Sequence, residues 1–252
     1  MFRSLSNRVN SLKDSPEISY RIIYTLIFTA YSIKPFLLNA RFRNERITKL
    51  LKGKKQYQVS TFTLENRYPR VFEIVKNILS DIPKAKIMSF GCSTGEEVST
   101  LISYFPQATL MGVDINPWCI KQCKKNNHFS HCSFENYDSH IFKNTNEFDA
   151  IFCMAVFQNT KNREDQHIDY SDSFLFDDFE KELSKLDSKL KKGGVLAIDN
   201  SDFDFLDTKT SLNYQPYEHS ENKFLRNRPL FGKQNQKKSA SSNLYRIFIK
   251  MS

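Results

Sequence analysis

The run Ile87-Met88-Ser89-Phe90-Gly91-Cys92-Ser93-Thr94-Gly95-Glu96-Glu97 constrains this chain more than any other stretch. Ile87, Met88 and Phe90 read as a buried strand, and Gly91 and Gly95 bracket a tight turn. From Glu96 onward the spacing turns helical, with Val98, Leu101, Ile102 and Phe105 on one face. Strand, glycine turn and helix in that order make a nucleotide-binding crossover, where backbone must approach a ligand closely. Glycine suits such a turn because a Cβ would block the approach and disfavour positive φ.

The same alternation continues on both sides. Val71, Phe72, Val75, Ile78 and Leu79, following Pro69, predict a helix, and a strand opens near Ala85. Residues 108–113 predict a second strand ending in Asp114, and Asn116-Pro117 is a helix-start signal for a helix reaching about Asn127. Residues 132–134 and 148–154 predict the third and fourth strands; the unbroken apolar run of the fourth fits a strand covered on both faces. A long polar segment, 158–171, follows it. Leu175, Phe179, Leu183, Leu186 and Leu190 then mark an amphipathic helix, with Lys191-Lys192-Gly193-Gly194 as its C-terminal stop, and 195–198 predict a fifth strand. A short helix at 203–207 and strands at 211–217 and 244–250 complete the pattern. These elements predict an α/β protein with a seven-stranded, mainly parallel, doubly wound sheet over residues 58–252. A helical extension over 1–57, broken near Pro35 and joined by a linker at 53–57, precedes it.

Charge separates the two parts. Residues 1–55 hold twelve Lys and Arg against Asp14, Glu17 and Glu45, which is the whole formal net charge of +9. Such an arm can meet an anionic membrane surface or nucleic acid, or it can be a solvated helical face. Five cysteines without a secretory leader predict reduced thiols in a cytoplasmic setting, with residues 1–55 able to make it membrane-peripheral. The apolar stretch 22–33 lies between Arg21 and Lys34 and is shorter than the ~20 residues a spanning helix needs.

Three features choose among nucleotides. No Lys-Ser/Thr follows Gly95, so the turn is not a phosphate-gripping P-loop. Its glycines are spaced Gly-x-x-x-Gly, unlike a dinucleotide fingerprint. Glu96 and Glu97 open the next helix, where they disfavour phosphate and suit an amino group. Asp114, ending the second strand, can accept both hydroxyls of a ribose.

The series KIMSFGCSTGEE, LMGVDINP, FDAIFCMAVFQN and LKKGGVLAIDNS resembles the class I S-adenosylmethionine (SAM)-dependent methyltransferases, over about residues 62–252. The turn itself is most similar to that of the chemotaxis-receptor glutamate methyltransferases. The resemblance implies SAM as cofactor, with Gly91, Cys92, Ser93 and Gly95 around its methionine part and Glu97, with Glu96, on its amino group. It further implies Asp114 on the ribose, Ile115 against the adenine, Asn136 or Tyr137 as an adenine contact, and Met154 and Ala155 near the sulfonium. Ser89 stands where many relatives carry an acid. The chemotaxis enzymes have an Arg-Asn pair where this chain has Met154-Ala155, so receptor-glutamate activity is not carried over. Base aminomethyltransferases place a polar residue and two prolines here, and their absence from 154–157 argues against nucleic-acid base methylation.

Because the sulfonium is a good leaving group, methyl transfer needs mainly in-line positioning at about 3 Å. A hydroxyl acceptor also benefits from a base. His167 in the polar segment is the first candidate and Tyr170 the second, with Asp199 and Asn200 at the end of the fifth strand placed to orient the acceptor. Arg67-Tyr68-Pro69 can border the acceptor pocket, and Arg228-Pro229-Leu230-Phe231-Gly232 can close over it. Cys119, Cys123, His128, His131 and Cys132 lack the Cys-x-x-Cys spacing of a zinc site, and the expectation is no metal, with the two helical cysteines facing the sheet. The expected function is methyl transfer from SAM to a small-molecule or polypeptide acceptor, at oxygen. The alternative from another class is a non-catalytic SAM- or nucleoside-binding module recruited to a membrane or partner through residues 1–55.

Overall fold

The computed structural model describes residues 18, 19, 22, 33, 35–53, 56–159, 175–225, 229–238 and 243–252. The chain divides into two compact units, residues 1–47 and 48–252. In the first, residues 35–38 form a helical turn, and the break foreseen near Pro35 falls at Asn39. The Asn39 carboxamide accepts from the Phe42 N–H at 3.0 Å and so starts helix α1 (Ala40–Lys52). Among the described residues, no helix is long and apolar enough to cross a membrane.

The second unit is built on strands β1 (Lys86–Phe90), β2 (Thr109–Asp114), β3 (Cys132–Asn136), β4 (Phe148–Met154) and β5 (Leu190–Asp199), all parallel. Two further strands, β6 (Tyr214–Pro216) and β9 (Ile247–Lys250), complete a seven-stranded sheet in the order β3-β2-β1-β4-β5-β9-β6. β9 runs antiparallel to both of its neighbours, so the sheet is mixed at that end. A separate hairpin pairs β7 (Lys223–Leu225) with β8 (Asn243–Tyr245).

Helices cover both faces. α2 (Pro69–Ile78), α3 (Glu96–Tyr104) and α4 (Pro117–Asn126) pack with Ile87, Leu110, Phe152 and Ala197. On the other face α6 (Phe176–Asp187) packs with Met88, Phe90, Ile151 and Leu196. β4 shows why its run is unbroken: Ala150 and Phe152 point to one core, Ile151 and Cys153 to the other.

Several elements differ from the sequence reading. Residues 191–194 do not end a helix. α6 stops at Asp187, β5 already begins at Leu190, and the register with β4 jumps from Phe148↔Leu190 to Ala150↔Val195. Gly193, at φ 77°, sits in the resulting bulge, so the glycine serves a strand irregularity and not a helix cap. β3 extends two residues further than expected, to Asn136. Helix α5 (His140–Asn144) was not foreseen. It is held from afar: the buried Lys189 donates to the carbonyls of Phe142, Lys143 and Thr145 at 2.9–3.0 Å. The expected last strand is split at Arg246 between β8 and β9. Asn222, fully buried, spans the break: its Oδ1 accepts from the N–H groups of Arg246 and Ile247, and its Nδ2 donates to the carbonyls of Tyr217 and Ile247.

Candidate functional site

The parallel strands deliver their ends to one edge of the sheet, and a cavity of about 490 Å³ opens there. The backbone along this edge is strained. Gly91 (φ 81°), Ser93 (φ 50°) and Gly95 (φ 101°) follow β1, while Ala155 (φ 60°) and Asn200 (φ 53°) follow β4 and β5. Left-handed residues other than glycine are uncommon, and their concentration at strand ends marks a functional rim. At Gly91 a Cβ would stand 2.5 Å from Val156 Cγ2, so this residue keeps open the approach between the β1 turn and the β4 end.

The turn is held by its own backbone and by strand β2. The N–H groups of Gly91 and Cys92 donate to the Val113 carbonyl at 2.7 and 3.0 Å. Ser93 Oγ donates to the Thr61 carbonyl at 2.7 Å, tying the turn to the segment before α2, and Cys123 Sγ reaches the Ser93 carbonyl at 3.2 Å. Asp114 receives the Ser93 N–H on Oδ2 at 2.9 Å and the Asn116 N–H on Oδ1 at 2.7 Å. Burial pushes its pKa up to about 6, against the pull of those two donors. Glu97 accepts from Ser89 Oγ at 2.8 Å. Burial pushes its pKa up to about 8, and the Ser89 hydroxyl and the nearby Arg67 charge only partly oppose this. Both carboxyls open into the cavity.

The residues singled out from sequence separate on this geometry. Gly91, Cys92, Ser93, Glu97, Asp114 and Ile115 line the cavity, as do Tyr137, Met154 and Ala155. Gly95, Glu96 and Asn136 stand behind it. Gly95 begins α3 in a left-handed conformation, and Glu96 takes the Thr94 hydroxyl at 2.7–2.8 Å. Asn136 Nδ2 donates to the carbonyls of Asp114 and Ile115, fixing the end of β2. Asp199 and Asn200 line a small neighbouring pocket instead. Asp199 pairs with Arg246 at 3.4 Å, while Asn200 Nδ2 touches the cavity wall through the Tyr68 hydroxyl at 3.2 Å. His167 and Tyr170 lie outside the described residues, as does Arg228. Leu230 and Phe231 are buried and do not border the cavity; Phe231 bridges to Phe203 and Lys237. Cys119 and Cys123 are buried against the sheet, and among the described residues no group of three metal-ligating side chains forms.

Two walls escaped the sequence reading. The end of the linker and the start of the main domain contribute Gln56, Tyr57 and Gln58, and the face of α6 contributes Asp178, Glu182 and Lys185. Glu182 Oε2 accepts from Tyr137 OH at 2.8 Å and from Lys185 Nζ at 3.0 Å, and Lys185 also donates to Tyr137 OH at 2.9 Å. Those contacts push Lys185 up to about 12, and burial with the Glu182 charge pushes Tyr137 up to about 12. Tyr57 is raised further by its own burial and the same carboxylate. The signal was in the sequence: Glu182 falls on the stripe Phe179, Leu183, Leu186, where a charge has no structural reason to be.

The arrangement has counterparts among known proteins. The profile of a methyltransferase domain family matches residues 82–250. A protein of Methanocaldococcus jannaschii, provisionally named a protein N5-glutamine methyltransferase, is 29% identical over 146 residues, covering 52% of this chain and 72% of the relative. The trans-aconitate 2-methyltransferase of Deinococcus radiodurans is 26% identical over 121 residues; the match spans 48% of this chain and 40% of that protein. Among solved structures, the N-methyltransferase NodS from Bradyrhizobium japonicum WM9 aligns with a TM-score of 0.47 at 16% identity, over 73% of this chain and 96% of that chain.

Proposed function

The chain belongs to the methyltransferase domain family and is a SAM-dependent enzyme, and from that premise we propose that it methylates a small-molecule or polypeptide acceptor that needs no strong base. The observation that carries this reading is the pairing of Glu97 and Asp114. Two half-buried carboxyls, each raised by desolvation, open into one cavity on either side of a glycine turn. Each gains from a ligand that brings a positive or hydrogen-donating group, which is what the ammonium and ribose hydroxyls of SAM offer.

In this reading Glu97, oriented by Ser89, holds the ammonium, and Arg67, whose charge acts on Glu97, faces the methionine carboxylate. Asp114 keeps its backbone donors and turns its remaining lone pairs to the ribose. Ile115 and Tyr137 flank the adenine, and Met154 and Ala155 border the reacting end. Bound SAM supplies a methyl on a sulfonium that leaves readily. The chain supplies position and a dry cavity.

Transfer to an alcohol oxygen depends on His167 or Tyr170, which lie outside the described residues. Among the described residues no histidine borders the cavity, and the phenols there are raised: Tyr68 to about 12 and Tyr57 beyond it. A carboxylate that arrives ionised, or an amine that arrives unprotonated, attacks the methyl without such a base.

The test is labelling. The full chain is incubated with methyl-labelled SAM and a cell extract, and the products are treated with alkali. Label that is released as methanol, or that survives as N-methyl, is the expected outcome. Label in alkali-stable methyl ethers would overturn the base-free reading. SAM binding without any labelled product would favour the non-catalytic binding module.

A further inference from the structure

Helix α1 carries its polarity in the reverse of the usual sense. Lys49 Nζ donates to the carbonyls of Gly53 and Gln56 at 2.9 and 3.0 Å, Lys52 pairs with Asp138, and Thr48 is buried. Lys52 lies three residues from Lys49 and four from Thr48, so the three share one face, and this polar face is the one that is tied down. Ile47, Leu50 and Leu51, also three and four residues apart, share the opposite face. There Leu50 is 84% and Leu51 76% exposed. A helix that packs on a core turns its leucines inward. This one turns them outward.

A single exposed leucine is ordinary, whereas a run of them marks a surface that meets something. Phe36, Leu37 and Leu38, just before α1, are exposed as well. Charge indicates what such a surface meets. Residues 35–55 hold seven Lys and Arg against Glu45 alone, and Glu45 is itself paired with Arg41. Arg46 is exposed beside Ile47, its guanidinium 5.1 Å from the centre of the Phe42 ring. Residues 56–252 carry no net charge, so the positive field coincides with the segment that shows its leucines. A nucleic-acid backbone would use the cations and leave the leucines unexplained. An apolar groove on a protein would use the leucines and leave the cations unexplained. An anionic lipid surface uses both, with leucines at the acyl boundary and cations among the headgroups. Among the described residues no helix is long and apolar enough to span a bilayer, so the contact is with one surface.

We propose that α1 docks the protein on an anionic membrane surface. Ile47, Leu50 and Leu51 enter the boundary between headgroups and acyl chains, and Arg46 stays among the lipid phosphates and carboxylates. Lys49 and Lys52, bound to Gln56 and Asp138, keep the helix fixed to the domain. Docking of this kind is independent of which acceptor is methylated.

The test pellets the full chain with vesicles of phosphatidylcholine alone or with about 30% phosphatidylserine. Partition onto the anionic vesicles is expected to be about tenfold stronger or more, and to weaken at high salt. Leu50→Asn with Leu51→Asn is expected to lose about tenfold or more of that partition, with the melting temperature unchanged because both side chains face solvent. Arg46→Gln should lose less. In Leu50→Trp the added indole is expected to shift its emission to the blue when anionic vesicles are present. Failure of the parent to pellet at millimolar lipid, or an emission from Leu50→Trp that vesicles leave unmoved, would overturn the proposal. So would a double asparagine variant that pellets as well as the parent; if it also melts earlier, the leucines belong against the chain's own residues. Tighter binding of a DNA duplex than of vesicles, unaffected in the double variant, would make the face a phosphate surface and overturn it too. A dimer that the double variant loses, without lipid partition, would assign the face to a second copy instead.

Discussion

The turn side and the α6 side of the cavity are built by different means. At the turn, Asp114 takes two main-chain N–H groups, and Glu97, the second residue of α3, accepts from the Ser89 hydroxyl on the neighbouring strand. On the α6 side, Glu182 is met by side chains, with Tyr137 and Lys185 both donating to Oε2. A site fixed by the main chain tolerates little change in its ligand. One fixed by side chains can be retuned residue by residue without disturbing the sheet, which suits a common cofactor beside a variable acceptor.

The contrast can be broken by experiment. Asp114→Asn puts an amide N–H against one of two backbone donors and removes the charge a ribose would meet, so SAM affinity is expected to fall about 100-fold by calorimetry. A loss under fivefold would mean that the turn is not the rigid end. Glu97→Gln is expected to act mainly through pH. In the free protein Glu97 is protonated below about 8, and an ammonium binds its ionised form, so binding at lower pH must expel a proton. Affinity of the parent chain should therefore rise about tenfold per pH unit from 6 towards 8 and then level off. The variant should be weaker at pH 8 and flat across the range; a persistent slope would place the titration elsewhere. The smallest effect is expected for Tyr137→Phe, which removes one donor to Glu182 at a cost of about 1 kcal/mol and a melting temperature lower by about 2–4 °C. SAM affinity should hold within threefold. If it drops as far as in Asp114→Asn, the turn side and the α6 side act as one site.

The turn was readable because it joins two periods, apolar alternation before Gly91 and helical spacing after Glu96, at residues chosen for backbone freedom. The sheet followed from five such repeats. What escaped reading depended on distant partners. Helix α5 has five residues, too few to nucleate alone, and it exists because Lys189 caps it from the start of β5. Gly193 follows an amphipathic helix and so looked like its stop, but the same freedom serves a bulge. Gln56 to Gln58 carry no pattern at all, and only their place above the turn, fixed by contacts such as Ser93 to Thr61, makes them a wall. Glu182 is the instructive miss, since a carboxylate on an apolar stripe is visible without coordinates.

The position of β9 has a consequence for how the molecule assembles. It follows β6 in sequence yet lies between β6 and β5. β6 therefore has no edge to join until β9 has docked, and the order of synthesis is reversed at this end of the sheet. The cavity, by contrast, is bounded by residues 56–185, all of which precede β5. During synthesis the ligand site can thus take shape while the far edge is still open, and a chain interrupted before residue 247 would forfeit two strands for the loss of one.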